Sequence, residues 1–374
     1  MKNFNLMQIV PNLRSGGVEQ GTIDVANYLG SFEIKNYICS NGGHMVSYLN
    51  KDFVQHLSIN VNSKNFLKMP FIAKKINLIL EKQKIDILHF RSRGPAWLLP
   101  YLKIKNLKTV STFHNVYGGE NFFKKIYNKQ LGNVNKIITI SNYVKDEIIK
   151  KKNINPNKVS VINRGVDTNF FDSENINKND LNNFLTKHNI ELNKKIVLFP
   201  GRLTGWKGQI EFLKIIEKFR DQPICFYFVG DDKNISYLHN LNKQIIKKNL
   251  NTQCRILGHM EKQELKMMYY SSSIIISAPL RPEGFGRIIS ESLAMKKIIL
   301  AYNFGGAKDQ LNQLDSIYKV ENQSDKEMIS KIQLILNLDN NQITNLGNNA
   351  RNHIVNNYSK INMQKSYLSF YQGL

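Results

Sequence analysis

Short apolar runs rich in β-branched residues recur along this chain, and most are followed by a segment with helical spacing. That alternation selects parallel sheets covered by helices, because strands running the same way need a long crossover and a helix is the usual one. In the first half the strand-like runs are Leu6–Val10, Asn36–Cys39, Ile85–Phe90, Thr109–Phe113, Lys136–Ile140 and Val159–Ile162. Val18–Leu29, Phe71–Gln83 and Tyr143–Lys150 carry the apolar spacing of one helix face. The alternation restarts with predicted strands at Lys195–Phe199, Ile224–Val229, Arg255–Leu257, Ile274–Ile276, Ile298–Ala301 and Ile317–Val320. Predicted helices between these lie at Gly208–Phe219, Ile235–Lys248, Glu261–Tyr270 and from Arg287 on, with terminal helices at Glu327–Leu338 and Ile343–Tyr371.

A chain of 374 residues that restarts its pattern halfway is predicted to hold two domains, each with its own core. The polar stretch Ser173–Asn183 reads as the linker, which sets residues 1–172 as the first domain and 173–356 as the second. Residues 357–374 are predicted to form a terminal helix that packs back on the first domain. Such doubly wound halves bind ligands at the carboxyl ends of their strands, so a cleft between two Rossmann-like domains is expected.

Lys and Arg outnumber Asp and Glu by 52 to 29, a formal charge of +23. The excess suits phosphates, anionic lipid or nucleic acid. Heavy joint use of Lys, Asn and Ile along the whole chain equally suits an AT-rich genome. Nucleic acid is the weakest of these partners, since no DNA- or RNA-binding motif is present. Cys39, Cys225 and Cys254 are too scattered for a disulfide framework or zinc site and read as core thiols in a reducing cytosol. No apolar run approaches the length of a membrane span, so a cytoplasmic protein is expected, with the inner face of the cytoplasmic membrane as a candidate surface for peripheral contact. The aromatic and basic segment Asn121–Lys129 is one candidate for such contact.

The densest chemistry lies between Ser273 and Glu291. A buried strand ends, Pro279 and Pro282 punctuate the chain, and Glu283-Gly284-Phe285-Gly286-Arg287 leads into a helix. The first amides of a helix and its dipole favour phosphate. Were all the intervening residues helical, Glu283 and Glu291 would stand about 12 Å apart along the axis, enough to hold two ends of one extended ligand. Upstream, Gly201-Arg202-Leu-Thr-Gly205-Trp-Lys207-Gly208 joins a strand to a helix and places two cations close together. Its spacing is not that of a Walker A loop. Taken singly, each of these is a common loop.

In this order they resemble glycosyltransferase family 4, and Gly305-Gly306 after the next strand extends the resemblance. The family implies a GT-B architecture of two Rossmann-like domains and retaining transfer of a sugar from a nucleoside diphosphate. By resemblance Glu283 binds hydroxyls of the transferred sugar, Glu291 the ribose, and Arg202 and Lys207 the donor phosphates, with Gly284, Phe285 and Gly286 lining the donor. Gly17 in Pro11–Glu19 corresponds to a glycine loop against the donor phosphates. His114, after the strand Thr109–Phe113, corresponds to a histidine beside the reaction centre and is expected to act in catalysis with Glu283, Arg202 and Lys207. Arg91 and Arg93 of Arg91-Ser-Arg93-Gly-Pro-Ala-Trp97, and Arg164 before Gly165-Val166-Asp167, resemble a bacterial subgroup that builds envelope polysaccharide or lipopolysaccharide, and are candidates for the acceptor side. A glycan or lipid-linked acceptor, a hexose donor, no cofactor and no metal are implied, since no D-x-D motif is present. Another GT-B enzyme, such as a nucleotide-sugar epimerase or glycosyl phosphorylase, is the alternative. Gly284 and Ala307-Lys-Asp depart from the common family pattern and leave the donor sugar open.

Overall fold

The computed structural model describes residues 4–14, 16–63, 65–103, 105–118 and 128–374. It divides into two compact units, Met1–Gly165 with Lys360–Leu374, and Val166–Ser359. Most of Asn121–Lys129 lies outside the described residues.

In the first unit β1 (Leu6–Ile9), β2 (Asn36–Ser40), β3 (Val54–Ser58), β4 (Ile87–Phe90), β5 (Lys108–Phe113), β6 (Lys136–Thr139) and β7 (Val159–Val161) form one parallel sheet in the order β3-β2-β1-β4-β5-β6-β7. Two-sided burial explains their apolar runs: every residue of β1, β2 and β4 is buried. β3 had no sequence expectation because it is an edge strand in which Val54 alone is buried. One core cluster joins Leu6, Ile87, Val110 and Ile138 of the sheet to Val25 and Leu29 of helix Gly17–Gly30 and to Met363, Tyr367 and Tyr371 of helix Lys360–Gln372. Burying a side chain of this size stabilises by about 1.5–3 kcal/mol, so the last helix belongs to this core although it is last in sequence.

In the second unit β8 (Lys195–Pro200), β9 (Ile224–Val229), β10 (Cys254–Gly258), β11 (Ile274–Ser277), β12 (Ile298–Tyr302) and β13 (Lys319–Val320) form a second parallel sheet, ordered β10-β9-β8-β11-β12-β13. Strand order reverses direction between β1 and β4 in one sheet and between β8 and β11 in the other. Beyond the carboxyl ends at such a switch point the flanking loops diverge and leave room for a ligand.

Three features differ from expectation. The first unit ends at Gly165, not 172, because the following residues are fixed to the second. Val166 N–H donates to the Tyr358 carbonyl at 2.8 Å, Phe171 packs on Tyr269, and Arg351 pairs with Asp172 at 2.6 Å while donating to the Phe171 carbonyl. The expected linker Ser173–Asn183 in part forms helix Lys178–Lys187, which the Asn177 side chain caps by accepting from Asn179 and Asp180 N–H, and which buries Phe184. The terminal helical segment breaks at Ser359, whose backbone is extended, into Asn340–Tyr358 and Lys360–Gln372. The three cysteines are free and buried. Among the described residues no helix is long and apolar enough to cross a membrane.

Candidate active site

In the second unit the loops after β8, β11 and β12 are bound to one another by backbone contacts that tolerate no side chain. Leu280 N–H donates to the Trp206 carbonyl at 2.8 Å, and Gly306 N–H to the Glu283 carbonyl at 2.8 Å. A Cβ on Gly306 would lie 2.5 Å from the Gly284 carbonyl oxygen and 2.6 Å from the Phe285 Cα, which is why glycine stands there. Gly286 takes φ 83° as the cap of helix Arg287–Ala294, and no side chain caps that end. The glutamate pair is therefore not on one continuous helix, as the 12 Å estimate assumed: only Arg287–Ala294 is helical, and Gly284 is buried in the turn.

This framework brings Lys207 and Glu283 together across adjacent strands. Lys207 Nζ donates to Glu283 Oε1 at 2.5 Å, and both side chains are largely enclosed, at 9% and 18% exposure. An ion pair so shielded loses little to solvent screening. The ammonium has three N–H donors and uses one here, so it can serve a carboxylate and an added anion together. Arg202 is exposed, and its guanidinium lies 5.9 Å from the ring centre of Trp206; Lys207 Nζ lies 4.7 Å from the same ring. Trp206 thus holds both cations near one point. Glu291, 8% exposed on the helix, accepts a hydrogen bond from Tyr269 Oη at 3.1 Å, and Arg287 Nε stands 3.8 Å from its other oxygen. Burial, the Glu291 charge and that hydrogen bond push the Tyr269 hydroxyl well above its usual pKa, so it stays a donor. Sequence reasoning missed Tyr269, which closes an ordinary amphipathic helix, and Gln310, which donates to the carbonyls of Phe285 and Gly286 and fixes the glycine turn.

A second cluster occupies the carboxyl ends of β1, β4 and β5 in the first unit, and it is cationic. His114 follows β5. Arg164 Nη2 donates to its Nδ1 at 3.0 Å, and since a guanidinium can only donate, the ring proton sits on Nε2, which donates to the Arg91 carbonyl at 2.9 Å. Burial first, and then the charges of Arg164 and Arg91, hold the imidazole well below its usual pKa, so it is neutral. Arg164 also donates through Nη1 to the Gly17 carbonyl. Arg91, a candidate for the acceptor side, is only 1% exposed: its Nε donates to Thr22 Oγ1 at 3.1 Å, its guanidinium lies 5.0 Å from the Tyr367 ring centre, and its Nη1 is buried without a hydrogen-bond partner. A Cβ on Gly21 would lie 2.8 Å from Arg164 Nη1 and 3.6 Å from Arg91 Nη2, so this glycine admits both side chains. Arg93 donates to Asn128 Oδ1 and stacks 4.0 Å from the Tyr117 ring centre. Glu19, another residue without a sequence expectation, carries the nearby negative charge; burial raises its pKa while Arg164 opposes the rise.

Residues 15–170 match the family described as Glycosyltransferase Family 4, and residues 182–353 that described as Glycosyl transferases group 1. A glycosyltransferase from Rickettsia africae ESF-5, known from its crystal structure, is 33% identical, with a TM-score of 0.89 over 100% of this chain and 99% of its own. The chain belongs to the family 4 type of GT-B glycosyltransferases. An uncharacterized glycosyltransferase of Haemophilus influenzae is 25% identical to this one over 86% of this chain and 87% of its own length. One of Methanocaldococcus jannaschii is 24% identical over a stretch that spans only 59% of its length. The Anabaena protein HepE, solved in complex with UDP and glucose, shares the fold at TM-score 0.82 and 17% identity over the full length of both chains. In this family 4 glycosyltransferase, then, Lys207, Glu283, Gly286 and Glu291 gather in one unit and His114, Gly17, Arg91 and Arg164 in the other.

Proposed function

We propose that the chain transfers a hexose, with retention of anomeric configuration, from a nucleoside diphosphate sugar held by the second unit to a hydroxyl of a glycan or lipid-linked acceptor in envelope polysaccharide or lipopolysaccharide assembly. The enclosed Lys207–Glu283 pair carries this reading. A donor sugar offers hydroxyls, which a carboxylate recognises, next to a diphosphate, which a cation neutralises, and the pair presents both groups at one point. Arg202 over Trp206 and the uncapped start of helix Arg287–Ala294 supply further positive potential. Negative charge grows on the departing diphosphate in the transition state, so fixed cations there lower the barrier, and no metal is required in this scheme. Glu291, oriented by Tyr269, is assigned the ribose hydroxyls. UDP in the Anabaena HepE complexes supports a nucleotide donor of this class.

His114 is assigned to the sugar as a neutral, tautomer-fixed imidazole and not as an acid. Arg164 is its positioning residue, and Arg93 is left for the acceptor.

Mass-spectrometric screening of uridine and guanosine diphosphate sugars tests this reading. One donor is expected to be consumed in an acceptor-dependent way. Glu291→Ala should raise the donor KM and His114→Ala should lower kcat; consumption of no donor, or full activity of Glu291→Ala at low donor concentration, would overturn it.

A further inference from the structure

Helix Met69–Lys82 of the first unit is apolar on two sides. Met69, Ala73, Ile76 and Leu80 face the core. On the outside, Phe71 is 73% and Leu78 60% exposed, and Leu67, in the short turn that leads into the helix, is 81% exposed. Phe71 and Leu78 are seven residues apart and so lie along one stripe of the surface. Lys68, Lys74, Lys75 and Lys82 all stand three or four positions from Phe71 or Leu78, the spacing of surface neighbours on a helix. All four are exposed, and among the described residues none has a carboxylate partner; Glu81 is the helix's single acidic residue. Asn77 extends the face: its amide donates to the Tyr101 carbonyl at 3.0 Å and its oxygen accepts from Lys103 N–H, which brings Tyr101, 39% exposed, and Lys103 alongside. Of the other exposed large apolar side chains, Tyr48, Phe53 and Ile361 lie on other segments of the first unit, and Leu192, Ile235, Ile246 and Leu334 belong to the second.

A large aromatic and two leucines left in water beside four unpaired ammonium groups form a surface whose two components need different partners, hydrocarbon and anions. A protein interface of this kind would need a partner with acidic residues around an apolar pocket; an anionic bilayer supplies both over any area, with acyl chains for the apolar tips and phosphates for the lysines. We propose that this face, centred on Phe71 and Leu78 and framed by Lys74 and Lys75, docks the protein on the surface of an anionic lipid bilayer, with the helix lying in the plane of the interface. The lysines draw the protein to the surface over the range of the Debye length, and the apolar tips then hold it. The proposal is independent of the donor assignment, because no residue of the face belongs to either site cluster.

Flotation of the full-length protein with vesicles tests it. The wild type should float with phosphatidylglycerol–phosphatidylcholine vesicles at low salt and remain behind with phosphatidylcholine alone. Phe71→Ser with Leu78→Ser, and separately Lys74→Gln with Lys75→Gln, should each weaken binding by at least about tenfold. Both variants should keep the wild-type circular dichroism and affinity for UDP, which separates loss of docking from loss of fold or of the donor site. Absence of wild-type binding to the anionic vesicles would overturn the proposal, as would full binding by the serine variant. Sedimentation showing a wild-type dimer that the serine variant dissolves, without vesicle binding, would assign the face to self-association instead.

Discussion

The two clusters solve opposite electrostatic problems. In the second unit an enclosed cation meets an enclosed carboxylate, Lys207 with Glu283, and the site stands near neutrality before any ligand arrives. In the first unit two guanidinium groups converge on Gly21 with a neutral histidine beside them and Glu19 as the nearby acid. In the proposed reaction, a balanced pair on a sterically locked glycine framework would exchange partners with a ligand that carries hydroxyls and phosphates. A buried arginine whose side chain is held by Thr22 and Tyr367, and whose own carbonyl accepts from His114 Nε2, is built to hold loops in place. Positive charge in a sequence thus has at least two uses, and burial tells them apart.

That contrast breaks most readily at Lys207. Lys207→Ala strands Glu283 and, in the proposed reaction, removes a cation from the leaving group, so it should lower kcat by about 10²–10³-fold in initial-rate assays with the preferred donor. A loss below tenfold would mean that the pair is structural. Treatment with EDTA should leave the wild-type rate unchanged, which sharpens the assignment of charge neutralisation to side chains.

Next in size is Arg91→Met, which should destabilise the first unit by about 2–4 kcal/mol in urea unfolding, since it deletes the charge-assisted hydrogen bond to Thr22 and the contact with the Tyr367 ring inside a core. The same measurement on Arg202→Ala should move by no more than about 0.5 kcal/mol, because Arg202 is exposed.

Acid provides a third separation. His89, between Tyr371 and Thr112, and His114 are both held well below the usual imidazole pKa, mainly by burial. Their unfolded forms bind more protons as pH drops below about 6.5, so stability of the first unit falls there, by up to about 1.4 kcal/mol per pH unit for each histidine. In the second unit Glu264, paired with Lys187 and His188, is lowered to about 2, so its contribution is present above the ordinary carboxylate pKa and lost only toward that value. Hydrogen exchange should show amides of β4 and β5 losing protection at a higher pH than those of β8 and β11; simultaneous loss would dissolve the distinction. A modest effect is expected of Tyr269→Phe, which removes one donor from Glu291 and should weaken nucleotide binding about fivefold, equivalent to about 1 kcal/mol.

Much of this was legible in the sequence where one physical signal dominated. Fully buried parallel strands announce themselves as apolar runs, so β9 and β11 stand where Ile224–Val229 and Ile274–Ile276 were predicted, within one residue. Edge strand β3 and helix Lys178–Lys187 carry one buried apolar side chain each, and periodicity has nothing to register there. At the sites, motif order pointed to Lys207, Glu283 and Glu291, yet spacing alone could not say that Lys207 bonds Glu283 or that Tyr269 serves Glu291, because those contacts join residues 76 and 22 positions apart. Arg91 and Arg93 look alike in a basic loop. The strand ends at Phe90, so its alternation does not carry on to them; the first enters the core and the second is half-buried beside Tyr117.

The most direct test of the central claim is calorimetric titration of UDP and GDP into the wild type, Lys207→Ala and Glu291→Ala. Saturable binding of one nucleotide to the wild type is expected, weakened at least about tenfold in each variant through loss of a charge-assisted contact. Equal affinity across the three proteins, or no binding of either nucleotide to the wild type, would contradict it.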